Sequence, residues 1–121
     1  MYKRQGKQEN IEAISIFPDD NVEKKRKEII KAIKKVDQKK GVIVLTDMFG
    51  GTPSNLAISV MDEEKVEVVA GVNLPMLIKI SSLRNKCKIK ELIKISQESG
   101  RKYMNVASAF FGETTNCNKK N

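Results

Sequence analysis

The sequence predicts an α/β domain with an open, mostly parallel β-sheet and helices on both faces. Short runs of β-branched residues alternate with segments of helical periodicity, which is the order of a parallel α/β sheet. The run Val42–Thr46 is apolar almost throughout, as in strands that are covered on both faces. The 121 residues fit one domain, and no internal repeat or linker divides them.

The first half of the chain predicts a strand followed by a surface helix. Residues 11–17 have a strand-like composition, and a Pro-Asp-Asp-Asn turn ends the run. Residues 22–40 carry one narrow apolar stripe at helical spacing, with Asn21 or Asp20 as the N-cap. Gly41 is a helix stop.

The second half continues the alternation. Asn73 is a plausible cap for the second-last predicted helix, and Gly100 a break in the last one. The predicted elements are strand 42–46, helix 53–61, strand 66–71, helix 76–83, helix 89–99 and strand 105–111. We expect residues 1–10 to be a disordered or non-native leader, 11–111 the domain, and 112–121 a polar tail.

The composition excludes several classes of protein. The net charge is +8, but the cations are mostly Lys without aromatic residues between them, so we expect no nucleic-acid partner. No apolar run approaches the length of a membrane span and no secretory signal is visible, which favours a cytoplasmic protein. Cys87 and Cys117 have no paired spacing, so we expect neither a metal site nor a disulfide framework. We also expect no cofactor.

The strongest candidate site follows strand 42–46. Asp47 ends the strand and could be a metal ligand, a phosphate acceptor, a partner to a histidine or a helix cap. The next residues place two glycines before a helix N-terminus, whose amides form an anion site. The candidate anion-binding residues are Gly50, Gly51, Thr52, Pro53 and Ser54. The Gly-Lys-Ser/Thr ending of a P-loop is absent.

A second loop follows the next predicted strand. Its residues are Gly71, Val72, Asn73, Leu74 and Pro75. Neighbouring parallel strands would bring this loop beside Asp47 in one crevice. A phospho-accepting Asp47, as in response-regulator receivers, is a minor rival, because a turn and a helix cap account for Asp19 and Asp20.

These two motifs carry a family resemblance. The segments Leu-Thr-Asp-Met-Phe-Gly-Gly-Thr-Pro-Ser-Asn (45–55) and Val-Ala-Gly-Val-Asn-Leu-Pro-Met (69–76) resemble the mannose-type IIA components of the bacterial sugar phosphotransferase system. The resemblance covers roughly residues 10–111. It implies an α/β fold and a homodimer in which the last strand, here 105–111, is antiparallel or crosses to the partner.

The resemblance also implies a phosphoryl carrier. Family members accept a phosphoryl group on a histidine from the histidine-containing phosphocarrier protein and pass it to the IIB component. Asp47 would orient that imidazole, and residues 50–54 would receive the phosphoryl oxygens. Contact with a membrane would be indirect, through the permease.

This sequence differs from the family in one essential residue: it contains no histidine. In the family the histidine follows a first strand that precedes a helix, and residues 11–17 match the family's second strand. We therefore expect that this strand–helix unit is missing and that its strand would sit between residues 11–17 and Val42–Thr46. The alternative is a non-catalytic regulatory or dimerisation module derived from the family.

Overall fold

A computed structural model of the chain describes residues 8–61 and 66–111 and confirms the α/β class. The first seven residues of the predicted leader and the predicted tail lie outside the described residues. Within the described ranges the elements are α1 (Val22–Val36), β1 (Val42–Thr46), α2 (Thr52–Ser59), β2 (Val66–Ala70), α3 (Leu74–Leu83), α4 (Ile89–Lys102) and a 3₁₀ helix (Ala107–Phe111). No helix among them is long and apolar enough to span a membrane.

The sheet of the described residues consists of β1 and β2, which pair in parallel. Val42 lies opposite Val66, and Thr46 lies opposite Ala70, so both strands end at the same edge. Helix α2 connects the two strands and contacts both of them. The loops that follow β1 and β2 are therefore neighbours.

The core lies between the sheet and the helices α1 and α2. Its buried apolar side chains are Ile29, Ile33, Val42, Leu56, Ala57, Val60, Val66 and Val68. Side chains alternate along a strand, so Ile43 and Leu45 point away from this cluster. On that side α3 and α4 pack against each other and bury Met76 and Leu92.

The helix caps explain where α1 and α4 begin and end. Asn21 caps α1 as predicted, because its side chain accepts a hydrogen bond from the Lys24 amide. Helix α1 ends at Val36 and not at residue 40, since the Asp37 carboxylate accepts a hydrogen bond from the Lys39 amide in a tight turn. Helix α4 does not break at Gly100, and that prediction was wrong.

Gly100 has a packing role in α4. A Cβ at this position would lie 3.3 Å from both Asn73 Oδ1 and Met76 Cε, so the missing side chain lets α3 approach closely. Gly100 is therefore needed for close helix packing. From the sequence alone, a glycine with this role looks the same as a glycine that ends a helix.

Residues 11–17 do not form the predicted strand, because no neighbouring strand pairs with them in the described part of the chain. We call this extended stretch the outer segment. Ile14 and Ile16 pack against the core. The Lys25 ammonium donates a hydrogen bond to the Ser15 carbonyl over 2.9 Å, and Lys35 lies 2.7 Å from the Glu12 carboxylate. The stretch is therefore extended but unpaired, and the large side chains near its two ends, Ile11 and Phe17, are exposed.

The predicted last strand, 105–111, is also absent. Ala107–Phe111 forms a 3₁₀ helix instead. Tyr103, Met104 and Val106 before it are exposed, at 57%, 79% and 65%. No described strand edge lies against these residues, so the apolar composition alone does not make them a strand.

A groove separates the outer segment from β1. Its volume is about 1030 Å³, and its walls are residues 10–14 and 16 on one side and residues 41–46 on the other. Side chains of α1 close one face, and Leu77, Ile80 and Leu92 line the other. The groove therefore lies between residues 11–17 and Val42–Thr46.

Candidate functional site

The two loops at the carboxyl ends of β1 and β2 meet, as their strand order requires. The Gly71 amide donates hydrogen bonds to the carbonyl oxygens of Asp47, over 2.8 Å, and Thr46, over 3.0 Å. The Val72 amide also donates to the Thr46 carbonyl. The structure therefore brings the second predicted loop next to Asp47, in the crevice where open α/β sheets bind ligands.

Asp47 is exposed at the mouth of this crevice. Its Oδ1 accepts a hydrogen bond from the Met48 amide over 2.8 Å, which fixes the carboxylate close to its own backbone. Asp47 does not cap α2, because the N-cap of that helix is Gly51. A carboxylate held in this way can accept a proton or a hydrogen bond from a group that enters the crevice.

Helix α2 presents its N-terminus to the same crevice. Gly50 has a φ of +94°, a conformation that residues with a Cβ rarely adopt, and it turns the chain into the helix. The amides of Thr52 and Ser54 belong to the first turn, whose N–H groups have no carbonyl acceptor within the helix. The helix dipole adds positive potential at this end, so an anion is favoured there.

Ser54 and Pro53 offer no side-chain donor to the crevice. The Ser54 side chain is fully buried, and its hydroxyl donates a hydrogen bond to the Gly51 carbonyl over 3.0 Å. Pro53 has no N–H to offer. Among the predicted anion-binding residues, the exposed hydroxyl in the described structure is that of Thr52.

Asn73 holds the second loop in place and caps α3, as predicted. Its Oδ1 accepts a hydrogen bond from the Met76 amide over 3.1 Å, and its Nδ2 donates one to the Gly100 carbonyl over 2.9 Å. One side chain therefore ties the start of α3 to the last turns of α4. Leu74 and Pro75 follow as the first residues of α3.

Replacing Asn73 by alanine is expected to cost about 1–3 kcal/mol of stability, because the cap and the hydrogen bond to α4 are both lost. Asn73→Ser is the matched control: its hydroxyl keeps a cap acceptor, and the short side chain loses the hydrogen bond to the Gly100 carbonyl without placing a second acceptor against it. Thermal unfolding should rank the native chain above N73S and N73S above N73A. Equal midpoints for N73A and the native chain would contradict the role of this side chain.

Two apolar side chains beside the carboxylate were missed as functional candidates. Met48 and Phe49 are exposed, and Leu74 across the crevice is also exposed. Large apolar side chains on a loop next to a polar site are typical of a surface that docks another protein. The signal was in the sequence, since both residues follow the end of a buried strand where nothing requires them for the core.

Asp20, one of the two acidic residues before α1, is engaged in local structure. Asp20 accepts a hydrogen bond from the Phe17 amide over 2.6 Å and lies 3.7 Å from Lys25. No group of three or more Cys, Asp or Glu residues that could hold a metal ion occurs within residues 8–61 and 66–111. The turn accounts for Asp20, which weighs against a receiver-type magnesium site.

The comparisons with known proteins agree with the resemblance. A family model described as "PTS system fructose IIA component" matches residues 1–97. The chain therefore belongs to this family of mannose-type IIA components of the sugar phosphotransferase system. The matched region contains both loops of the crevice.

Three relatives carry different sugars in their names. The fructose-specific EIIA component of Bacillus subtilis is 28% identical over 94% of this chain and 79% of its own length. The mannose-specific EIIAB component of Escherichia coli K12 is 39% identical over 79% of this chain, which spans only 30% of that protein. The sorbose-specific EIIA component of Lacticaseibacillus casei is 29% identical over 77% of this chain and 70% of its own length.

Proposed function

We propose that this chain is the carrier-site half of a phosphoryl-transfer IIA domain for sugar uptake, and that the chain by itself accepts no phosphoryl group. The observation that carries the proposal is a crevice to which the chain brings no histidine. It combines an exposed carboxylate, a helix N-terminus and exposed apolar side chains, while the sequence has no histidine. Family membership supports the reaction class.

In this proposal each part of the crevice has one role. Asp47 would hydrogen-bond one nitrogen of an imidazole that enters the crevice, which fixes the tautomer and leaves the other nitrogen to attack phosphorus. The α2 amides and the Thr52 hydroxyl would receive the phosphoryl oxygens near the positive end of the helix dipole. Gly71 and Val72 hold the second loop against β1 and so shape the other wall.

The partners in this proposal are the histidine-containing phosphocarrier protein, as donor, and the IIB component, as acceptor. The exposed Met48, Phe49 and Leu74 give both partners an apolar surface beside the reacting group. We also propose a homodimer, supported by the exposed Tyr103, Met104 and Val106. Sedimentation of the chain as a monomer at all concentrations would contradict that assembly.

The proposal is tested by transfer of labelled phosphate from phosphoenolpyruvate through enzyme I and the phosphocarrier. The native chain is expected to remain unlabelled, whereas a chain extended at its amino end by a strand, a histidine and a helix should take up label. Stable label on the native chain would contradict the proposal. Absence of label on a folded extended chain would contradict the assignment of this crevice as the site.

A further inference from the structure

We propose that the groove between the outer segment and β1 binds one β-strand of another polypeptide, inserted parallel to both walls. The occupant is an apolar strand with acidic residues at its start and a hydrogen-bonding side chain at its end. This inference concerns binding and does not require any phosphoryl transfer.

The shape of the groove points to a strand. On one side β1 pairs with β2, and in the described chain no strand covers its other edge, so the backbone donors and acceptors of that edge face the groove. The opposite wall is the extended outer segment, which also lacks a ladder partner among the described residues. A single β-strand between these two edges could pair with both of them and be covered by the helices above and below. The volume of about 1030 Å³ is at the upper limit for a small-molecule pocket.

The direction of the occupant follows from the direction of the walls. Glu12 lies beside Lys35 in the last turn of α1, whereas the Ser15 carbonyl contacts Lys25 near its start, so the outer segment runs opposite to α1. Phe17 shares a small surface pocket with Pro53, just beyond the carboxyl end of β1. The outer segment and β1 therefore run in the same direction, and a strand that joins them into one parallel sheet shares it.

The lining predicts an occupant that is apolar on both faces. Ile29 and Ile33 of α1 lie on one side of the groove, and Leu77, Ile80 and Leu92 lie on the other. Strands covered on both faces are near-continuous runs of Val, Ile and Leu and do not alternate with polar residues. About five or six such residues match the length of β1.

The ends of the groove differ in polarity. Lys40, Lys86 and Lys88 all line the groove. Lys40 directly precedes Gly41 and β1. Ile89 Cδ1 lies against Gly41, only 2.7 Å from where a Cβ would be, so Lys86 and Lys88, just before Ile89 in the chain, lie at the same end of the groove. The carboxylate of Glu12 at this end is paired with Lys35. Acidic residues at the start of a parallel strand would face these cations.

The carboxyl end of the groove contains a buried hydroxyl without a partner. Thr46 is 7% exposed, and its Oγ1 makes no hydrogen bond within the described structure. Buried hydroxyls are normally paired, so this one points to a group that enters the groove. A polar side chain at the end of the bound strand would supply the partner.

The test uses the full chain and the synthetic peptide Glu-Asp-Val-Ile-Val-Ile-Val-Asn-Gly. Binding should raise the unfolding midpoint with peptide concentration and slow the hydrogen exchange of the β1 amides. A peptide with Pro at its central position should bind about tenfold or more weakly, because Pro cannot donate to the ladder. A peptide that begins Lys-Lys should also bind more weakly, and added salt should reduce the difference.

Direction is tested through Cys87, a free thiol that lines the basic end of the groove. A peptide with an activated disulfide at its start should exchange with the Cys87 thiol, while one with that group at its end should not. Cys87→Ser should abolish the crosslink, and Cys117→Ser should leave it unchanged. In Thr46→Val the preference for Asn over Val at the peptide's end should disappear.

Several results would overturn the proposal. These are crosslinking only from the peptide's end, binding that leaves β1 exchange unchanged, or equal binding of the proline peptide. A native chain that sediments as a dimer with β1 amides already protected would assign the groove to a second copy. Failure of phosphoryl transfer in the extended chain would leave the peptide result standing, so the two proposals fail separately.

Discussion

Asp47→Asn, made in the chain extended by a strand, a histidine and a helix, is expected to slow phosphoryl uptake about 10²–10⁴-fold. The carboxylate of Asp47 is exposed at the crevice and fixed by the Met48 amide. An aspartate that orients an imidazole sets its tautomer and stabilises the charge that develops on it. An amide of the same shape can do neither well. Single-turnover transfer from the labelled phosphocarrier measures the effect.

The matched control is Asp19→Asn, which removes a carboxylate that lies in the turn before α1. It should leave the transfer rate unchanged. If Asp47 itself accepted the phosphoryl group, the native chain would be labelled without any histidine and D47N would abolish that label. The linkage also discriminates, because phosphohistidine survives alkali whereas an acyl phosphate does not.

The sequence predicts the crevice well because local signals specify it. The end of a buried strand, the Gly-Gly-Thr-Pro turn and the Asn73 cap are short-range features, and the parallel order of two strands brings them together. The orientation of a side chain is not local in this sense. Ser54 is polar and precedes the exposed Asn55, yet its hydroxyl turns inward to the Gly51 carbonyl.

The two strands predicted at residues 11–17 and 105–111 are absent from the structure for the same physical reason. A strand requires a partner edge, and composition cannot state whether that edge exists. Residues 11–17 are extended, bury only Ile14 and Ile16 in part, and lie across a groove from β1. Residues 107–111 form a helical turn. The composition shows that both stretches are apolar, but it does not show whether a neighbouring strand is available to pair with them.

The open groove and the helix N-terminus belong to one arrangement. Thr46 ends the strand whose outer edge faces the groove, and Asp47 follows it in the crevice. A strand bound parallel to β1 would therefore deliver the residue after its end to the side of Asp47. Strand binding and completion of the site would then be coupled, although each has its own measurement.

Leu56→Ala is expected to lower the free energy of unfolding by about 2–5 kcal/mol. Leu56 is 5% exposed and lies in the cluster that joins α1, α2 and the sheet. Small domains are stable by about 5–15 kcal/mol, so this loss removes a large share of the total. The melting temperature should fall by roughly 8–20 °C.

Ile58→Ala is the control, since Ile58 lies on the same helix and is 44% exposed. It should change stability by less than about 1 kcal/mol, because alanine favours the helix and little buried area is lost. Equal losses for L56A and I58A would contradict the placement of Leu56 in the core. If the groove peptide binds, it should restore part of the L56A loss, because a ligand that binds only the folded state stabilises any variant that retains the groove.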